Sequence, residues 1–170
     1  PSPKTNSMEI LEIRTLRGPN YWSGYWKKLI IMRLDIGEYE EKPTNKIDGF
    51  YGRMIEVLPS LLSHGCSYGE EGGFLKRVGE GTWAGHAIEH FALELQTLAG
   101  MDTGYGRTRE TDEPGIYNVV YSYLEEEVGR FAGGTAVRLW LDLAEGKDLG
   151  EIKEGIAKDI QEMREIRENV

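Results

Sequence analysis

Lys28-Leu-Ile-Ile-Met-Arg-Leu-Asp-Ile36 is the stretch on which the fold class turns. Leu29, Ile30, Ile31, Met32 and Leu34 crowd a run too short for an independent helix, and their density predicts a strand buried on at least one face. On its amino-terminal side, residues 8–16 carry Ile10, Leu11, Ile13 and Leu16 and predict a partner strand. The two are separated by Gly18-Pro19-Asn20, which are turn residues, and by the aromatics Tyr21, Trp22, Tyr25 and Trp26, which read as hydrophobic cover. On its carboxyl-terminal side the period changes. Phe50, Met54, Val57, Leu58 and Leu61 predict a helix over 47–63, with Pro59 disturbing its second half. A glycine-rich loop over 64–73 and a short helix over 73–78 follow. Thr82 is placed to cap a longer helix that ends near Ala99, with Gly100 just past its end.

Gly104, Gly106 and Pro114-Gly115 punctuate a loop or hairpin, and Ile116–Leu124 is rich in Tyr and Val, as strands are. Glu125-Glu126-Glu127 then open a helix reaching Ala144, where carboxylates suit the positive dipole end and Gly133-Gly134 weaken the middle. After a break at 146–150, Ile152, Ile156, Ile160, Met163 and Ile166 form an apolar stripe in a highly charged segment. Such a helix packs on its own domain or leads into a following one. Strand pair, helices, strand pair, helix is the order of an α+β fold with an antiparallel sheet and helices mainly on one face.

A chain of 170 residues can bury a real core. Residues 1–7 show no periodicity and are set aside as an extraneous or disordered lead. The net charge of −9 argues against a nucleic-acid partner, which needs a basic footprint. No run approaches a membrane span and no signal segment is visible, so a cytoplasmic setting is expected. The single cysteine, Cys66, excludes an internal disulfide and reads as structural rather than nucleophilic. No phosphate-binding glycine fingerprint is present.

The chemistry is concentrated in His86-Ala-Ile-Glu-His90. Residues four apart on a helix lie one above the other, so both imidazoles can reach one ion, and Glu89 leans to the same side. Zinc accepts two histidine nitrogens with a further protein ligand and an open water position. Glu89 is then placed to take a proton from the water, as in inverted zincins. Ile88, Phe91, Ala92, Leu95, Leu98 and Ala99 fall on one side of this helix, while His86, His90, Leu93 and Thr97 fall nearly opposite, toward solvent, a cleft or a second layer. Glu125, Glu126, Glu127 and Glu94 are the candidates for the third ligand. Arg107 and Arg109, two apart, would share a strand face and could clamp a carboxylate.

Leu16-Arg-Gly-Pro-Asn-Tyr-Trp-Ser23, Ile31-Met-Arg-Leu-Asp35, Val57-Leu-Pro-Ser-Leu61, Gly72-Gly-Phe-Leu75 and Gly106-Arg-Thr-Arg-Glu-Thr111, the last followed by Pro114-Gly-Ile-Tyr117, resemble the opening of cyanophycin synthetases. The resemblance implies a domain over 8–145 and a linker helix over 146–170 that points toward an ATP-grasp domain. In the whole proteins of the family, aspartate and arginine are polymerised with ATP and Mg²⁺ used outside this segment. For this segment the family implies binding of cyanophycin polymer or primer, contact with the remaining synthetase domains, and homo-oligomers of the whole protein. In some members it implies internal hydrolysis of the polymer to make primers. It also places Zn²⁺ on His86, His90 and Glu126, with Glu89 catalytic and Arg107 and Arg109 on the substrate. A non-catalytic polymer-binding or structural, oligomerisation role is the alternative.

Overall fold

The computed structural model describes residues 8–20, 22, 27–66 and 69–170. Strands β1 (Glu9–Arg17) and β2 (Lys28–Asp35) pair antiparallel, with Ile13 opposite Met32 and Leu16 opposite Leu29. The chain then leaves the sheet for α1 (Phe50–Val57), α2 (Gly73–Glu80) and α3 (Ala84–Leu98). It returns as the hairpin β3 (Gly106–Glu110) and β4 (Ile116–Ser122), and ends in α4 (Glu126–Glu145) and α5 (Leu149–Glu168). β4 pairs with β2, which gives one antiparallel sheet in the order β1-β2-β4-β3. The α+β expectation therefore holds, and the aliphatic run 29–34 is a central strand because β1 and β4 flank it. None of the described helices is long and apolar enough to cross a membrane.

Strand alternation sorts the side chains into two layers. Ile30, Met32 and Leu34 of β2 and Tyr117, Val119 and Tyr121 of β4 face the helices and join Phe50, Phe74, Phe91 and Trp140 in the main core. Leu29, Ile31 and Val120 face the other way and are covered by Leu16, Trp22 and Tyr105. Trp22 thus serves as hydrophobic cover. Tyr21, Tyr25 and Trp26 lie outside the described residues.

Two local expectations change, and a third is made specific. The helix over 47–63 is split: α1 stops at Val57, and Pro59 starts a separate 3-10 turn, Pro59–Ser63, because proline has no N–H to continue the ladder. Trp83, not Thr82, occupies the cap position of α3. Gly133-Gly134 do not interrupt α4: Gly133 is where the Tyr121 hydroxyl approaches the helix on its way to the Gly129 carbonyl, 2.8 Å away.

α5 docks on the domain. Ile152, Ile156 and Met163 are buried in the main core, and Arg138 of α4 pairs with the buried Asp159. Arg164 and Arg167 reach back to the carbonyls of Leu98, Ala99 and Gly100 at the end of α3. The core thus runs past residue 145 into the segment read as a linker.

Candidate metal centre

α3 is buried nearly all round. One side packs Ile88, Phe91, Ala92 and Leu95 into the core. The other presents His86, His90, Leu93 and Thr97 to a cavity of about 760 Å³. These are the four residues that helical spacing placed opposite the core, and of the three open destinations the structure selects a cleft. The remaining walls come from the loop 63–66, from Arg77 of α2, from the loop 102–104, and from Gly106 and Thr108 of β3.

The loop brings in two groups that sequence spacing did not assign. Cys66 Sγ lies 3.0 Å from His86 Nε2. One ligand atom from each of Cys66, His86 and His90 falls within 4.8 Å of the others, close enough for the three to hold one metal ion. Cys66 holds φ at 53°, a left-handed conformation uncommon for a residue with a side chain, and it aims the thiol inward. His64 lies 2.9 Å from His90, Nδ1 to Nδ1, and 2.6 Å from the Glu94 carboxylate through Nε2. All three histidines of the chain therefore meet in one cavity. A loop without periodicity gives no register by which these neighbours could be read in advance. The one available signal was the rarity of His and Cys in the chain.

The supporting contacts suit metal binding. The Thr82 hydroxyl is 2.9 Å from His86 Nδ1, so it orients the ring rather than capping the helix, and Nε2 faces Cys66. Phe74 stacks on His90 with ring centres 4.0 Å apart. Burial, aided by the nearby Arg77 charge, lowers the His86 pKa to about 4. Burial also lowers His90, helped by His86 and His64. Both rings are thereby held neutral, the form that ligates metals. Burial pushes the Glu89 carboxyl up to about 7, against an opposing hydrogen bond from Thr108. That bond, 2.8 Å, holds Oε1, while Oε2 lies 3.7 Å from His90 Nε2. Gly106 faces this carboxylate so closely that a Cβ there would come within 2.7 Å of it.

The other expected site residues lie elsewhere. Glu126 is half exposed at the start of α4, where it pairs with Arg130 at 3.4 Å, and it does not line the cavity. Glu125 accepts a hydrogen bond from the Val128 amide as the α4 cap, and Glu127 is exposed. The three glutamates thus serve the helix end, the role dipole complementation predicts. Glu94 lines the cavity but its carboxylate is directed at His64. Arg107 and Arg109 do share a strand face, as expected. It is the face opposite α3, because Arg107 pairs with Val120 of the outer layer while Thr108 points at Glu89. The cation that lines the cavity is Arg77.

The family model for the cyanophycin synthase-like N-terminal domain matches residues 31–145. The chain is also similar to the cyanophycin synthetase of Synechocystis sp., 55% identical over 162 residues that make up 95% of this chain and 18% of that protein. It is 56% identical over 160 residues to the cyanophycin synthetase of Trichormus variabilis, covering 94% of this chain and 17% of that protein. The chain therefore spans less than a fifth of the length of the curated relatives it matches.

Proposed function

The chain belongs to the cyanophycin synthase-like N-terminal domain family, and from that premise we propose that it binds cyanophycin and hydrolyses it internally at a metal centre, so making primer ends for the synthetase of which it is a part. The observation that carries this reading is the convergence of Cys66, His86 and His90 at the wall of a cavity that also holds Glu89. In this reading Cys66 takes the third-ligand place first assigned to Glu126, since a soft thiolate with two imidazoles is a zinc-type donor set.

When bound, zinc supplies Lewis acidity that polarises a carbonyl and acidifies water. Glu89 accepts the proton of the attacking water. Thr108 holds one carboxylate oxygen and leaves the other free for the transfer. A carboxyl pushed up to about 7 both takes and returns a proton near neutral pH. Arg77 receives a carboxylate of the polymer, the task first given to Arg107 and Arg109. ATP-dependent joining of aspartate and arginine belongs to the rest of the protein in this reading. The helix α5 leads toward that part, and oligomers form in the whole synthetase.

The test is zinc content and cleavage of cyanophycin by the purified domain. Wild type holds close to one zinc and shortens the polymer. Cys66→Ser and the double variant His86→Ala/His90→Ala lose the metal. Glu89→Gln keeps it and still binds polymer, but cutting falls by roughly 10²–10⁴-fold. Equal zinc in wild type and the double variant ends the metal claim. A zinc-loaded wild type that leaves the polymer intact ends the hydrolase claim and favours a purely binding domain.

A further inference from the structure

Three imidazoles share the cavity, but only two belong to the ligand cluster. The third, His64, stands between a buried carboxylate and one of those two. Glu94 Oε2 is 2.6 Å from His64 Nε2, and His64 Nδ1 is 2.9 Å from His90 Nδ1. Burial tends to raise the Glu94 carboxyl, yet its hydrogen bonds with His64 and Ser60 hold it below the ordinary range. An ionised carboxylate only accepts, so His64 Nε2 must carry the proton of that bond. When the His64 ring is neutral it has one N–H, which leaves its Nδ1 bare and accepting. The Nδ1 of His90 facing it must then carry a proton, and His90 Nε2 keeps its lone pair. At His86 the partner of Nδ1 is instead the Thr82 hydroxyl, 2.9 Å away.

We propose that Glu94 and His64 are positioning residues that lock His90 in its Nδ1–H tautomer and so present its Nε2 to a metal ion. Glu94, one of the candidate ligands by sequence, acts one step removed, through His64. This inference rests on reading Cys66, His86 and His90 as the metal cluster. Outer contacts of this kind on a ligating histidine change metal affinity by roughly 10–100-fold.

The experiment records long-range proton–nitrogen spectra of the histidine rings in ¹⁵N-labelled, metal-free domain at pH 8, above the ordinary histidine range. Zinc affinity is measured on the same samples. Wild type shows His90 protonated on Nδ1. His64→Phe fills the space without an acceptor: His90 shifts toward Nε2–H, and zinc affinity falls by roughly 10–100-fold. Glu94→Met produces the same shift through a freed His64. His64→Asn sets an amide carbonyl near the place of Nδ1, and restores both the tautomer and most of the affinity. A wild type with His90 protonated on Nε2, or a His64→Phe variant with tautomer and affinity unchanged, overturns the proposal. The two readings separate cleanly. A wild type with the Nδ1–H tautomer that takes up no zinc sinks the metal reading and leaves the lock supported. One that binds zinc with the other tautomer sinks the lock alone.

Discussion

Burial that pushes the Glu89 carboxyl up to about 7 acts on folding as well as on chemistry. In the unfolded chain this group titrates near 4.5. A raised folded-state pKa gives stability that is fully present below about pH 4.5 and is lost as pH rises through 7. Across that window the loss approaches about 3 kcal/mol at 1.4 kcal/mol per pH unit. His86 works in the opposite sense: its folded pKa is depressed to about 4, so its contribution is present above 6.5 and fades as pH falls toward 4. Comparing metal-free wild type with Glu89→Gln cancels the histidine terms, since both proteins keep them. The melting-temperature advantage of Glu89→Gln should widen by roughly 5–10 °C from pH 4.5 to 7.5. A difference that stays flat with pH would refute the buried, raised carboxyl. Gly106→Ala probes the same group from the strand side. Its Cβ would sit 2.7 Å from the Glu89 carboxylate, a collision with a buried side chain that has little room to give way. It should cost about 1–3 kcal/mol in a chemical melt and depress cutting more than zinc content. Of this site, the helical part was legible in sequence, since 100° spacing alone set His86, His90, Leu93 and Thr97 together. Cys66, His64 and Thr108 were not, because a loop and a β-strand brought them in and no local period encodes such an approach.

At the scale of elements, periodicity carried the reading where one face is buried and failed where a backbone or side-chain detail competes. The central strand β2 was visible because both of its faces are covered, so its aliphatic run is unbroken. The helix over 47–63 was overextended because the apolar spacing continues through Pro59, although the hydrogen-bond ladder cannot. The glycine pair in α4 shows what composition alone does not separate. Gly133 is buried, and a Cβ there would meet the Tyr121 hydroxyl and lie 3.6 Å from Met32 Sδ. Gly134 is exposed, and nothing lies within 4 Å of the position its Cβ would take. The two alanine substitutions should therefore have opposite signs. Gly133→Ala destabilises by about 1–3 kcal/mol through overpacking and loss of the Tyr121–Gly129 bond. Gly134→Ala stabilises by about 0.5–1 kcal/mol because the unfolded chain loses freedom. Urea melts of the two single variants check this, and two changes of the same sign would show that the sheet does not press α4 at Gly133.

For the whole molecule, the open question is whether the domain ends at 145 or at the end of α5. Removing residues 147–170 would uncover the surfaces that Ile152, Ile156 and Met163 bury, none of them more than 5% exposed. At about 1.5–3 kcal/mol for each buried aliphatic or Met side chain, that loss is roughly 5–9 kcal/mol. The whole stability of a domain is only about 5–15 kcal/mol. It would also leave the Arg138 partner and the three carbonyls at the end of α3 without their present contacts. Since α3 carries His86 and His90, loosening its far end reaches their cluster with Cys66 along one rigid element. The chain cut after Gly146 should therefore melt without a cooperative transition or well below the full chain, and should take up less zinc. Met163→Ala, a milder version of the same loss, should cost about 2–5 kcal/mol while the fold survives. If the shortened chain instead melts as sharply and at the same temperature as residues 1–170, α5 contributes nothing to the core, and a linker that merely rests on the domain is the better description. If Met163→Ala is costly and the shortened chain fails to fold, α5 is part of the domain. A connection to any following part then begins only after the last turn of α5, near Glu168.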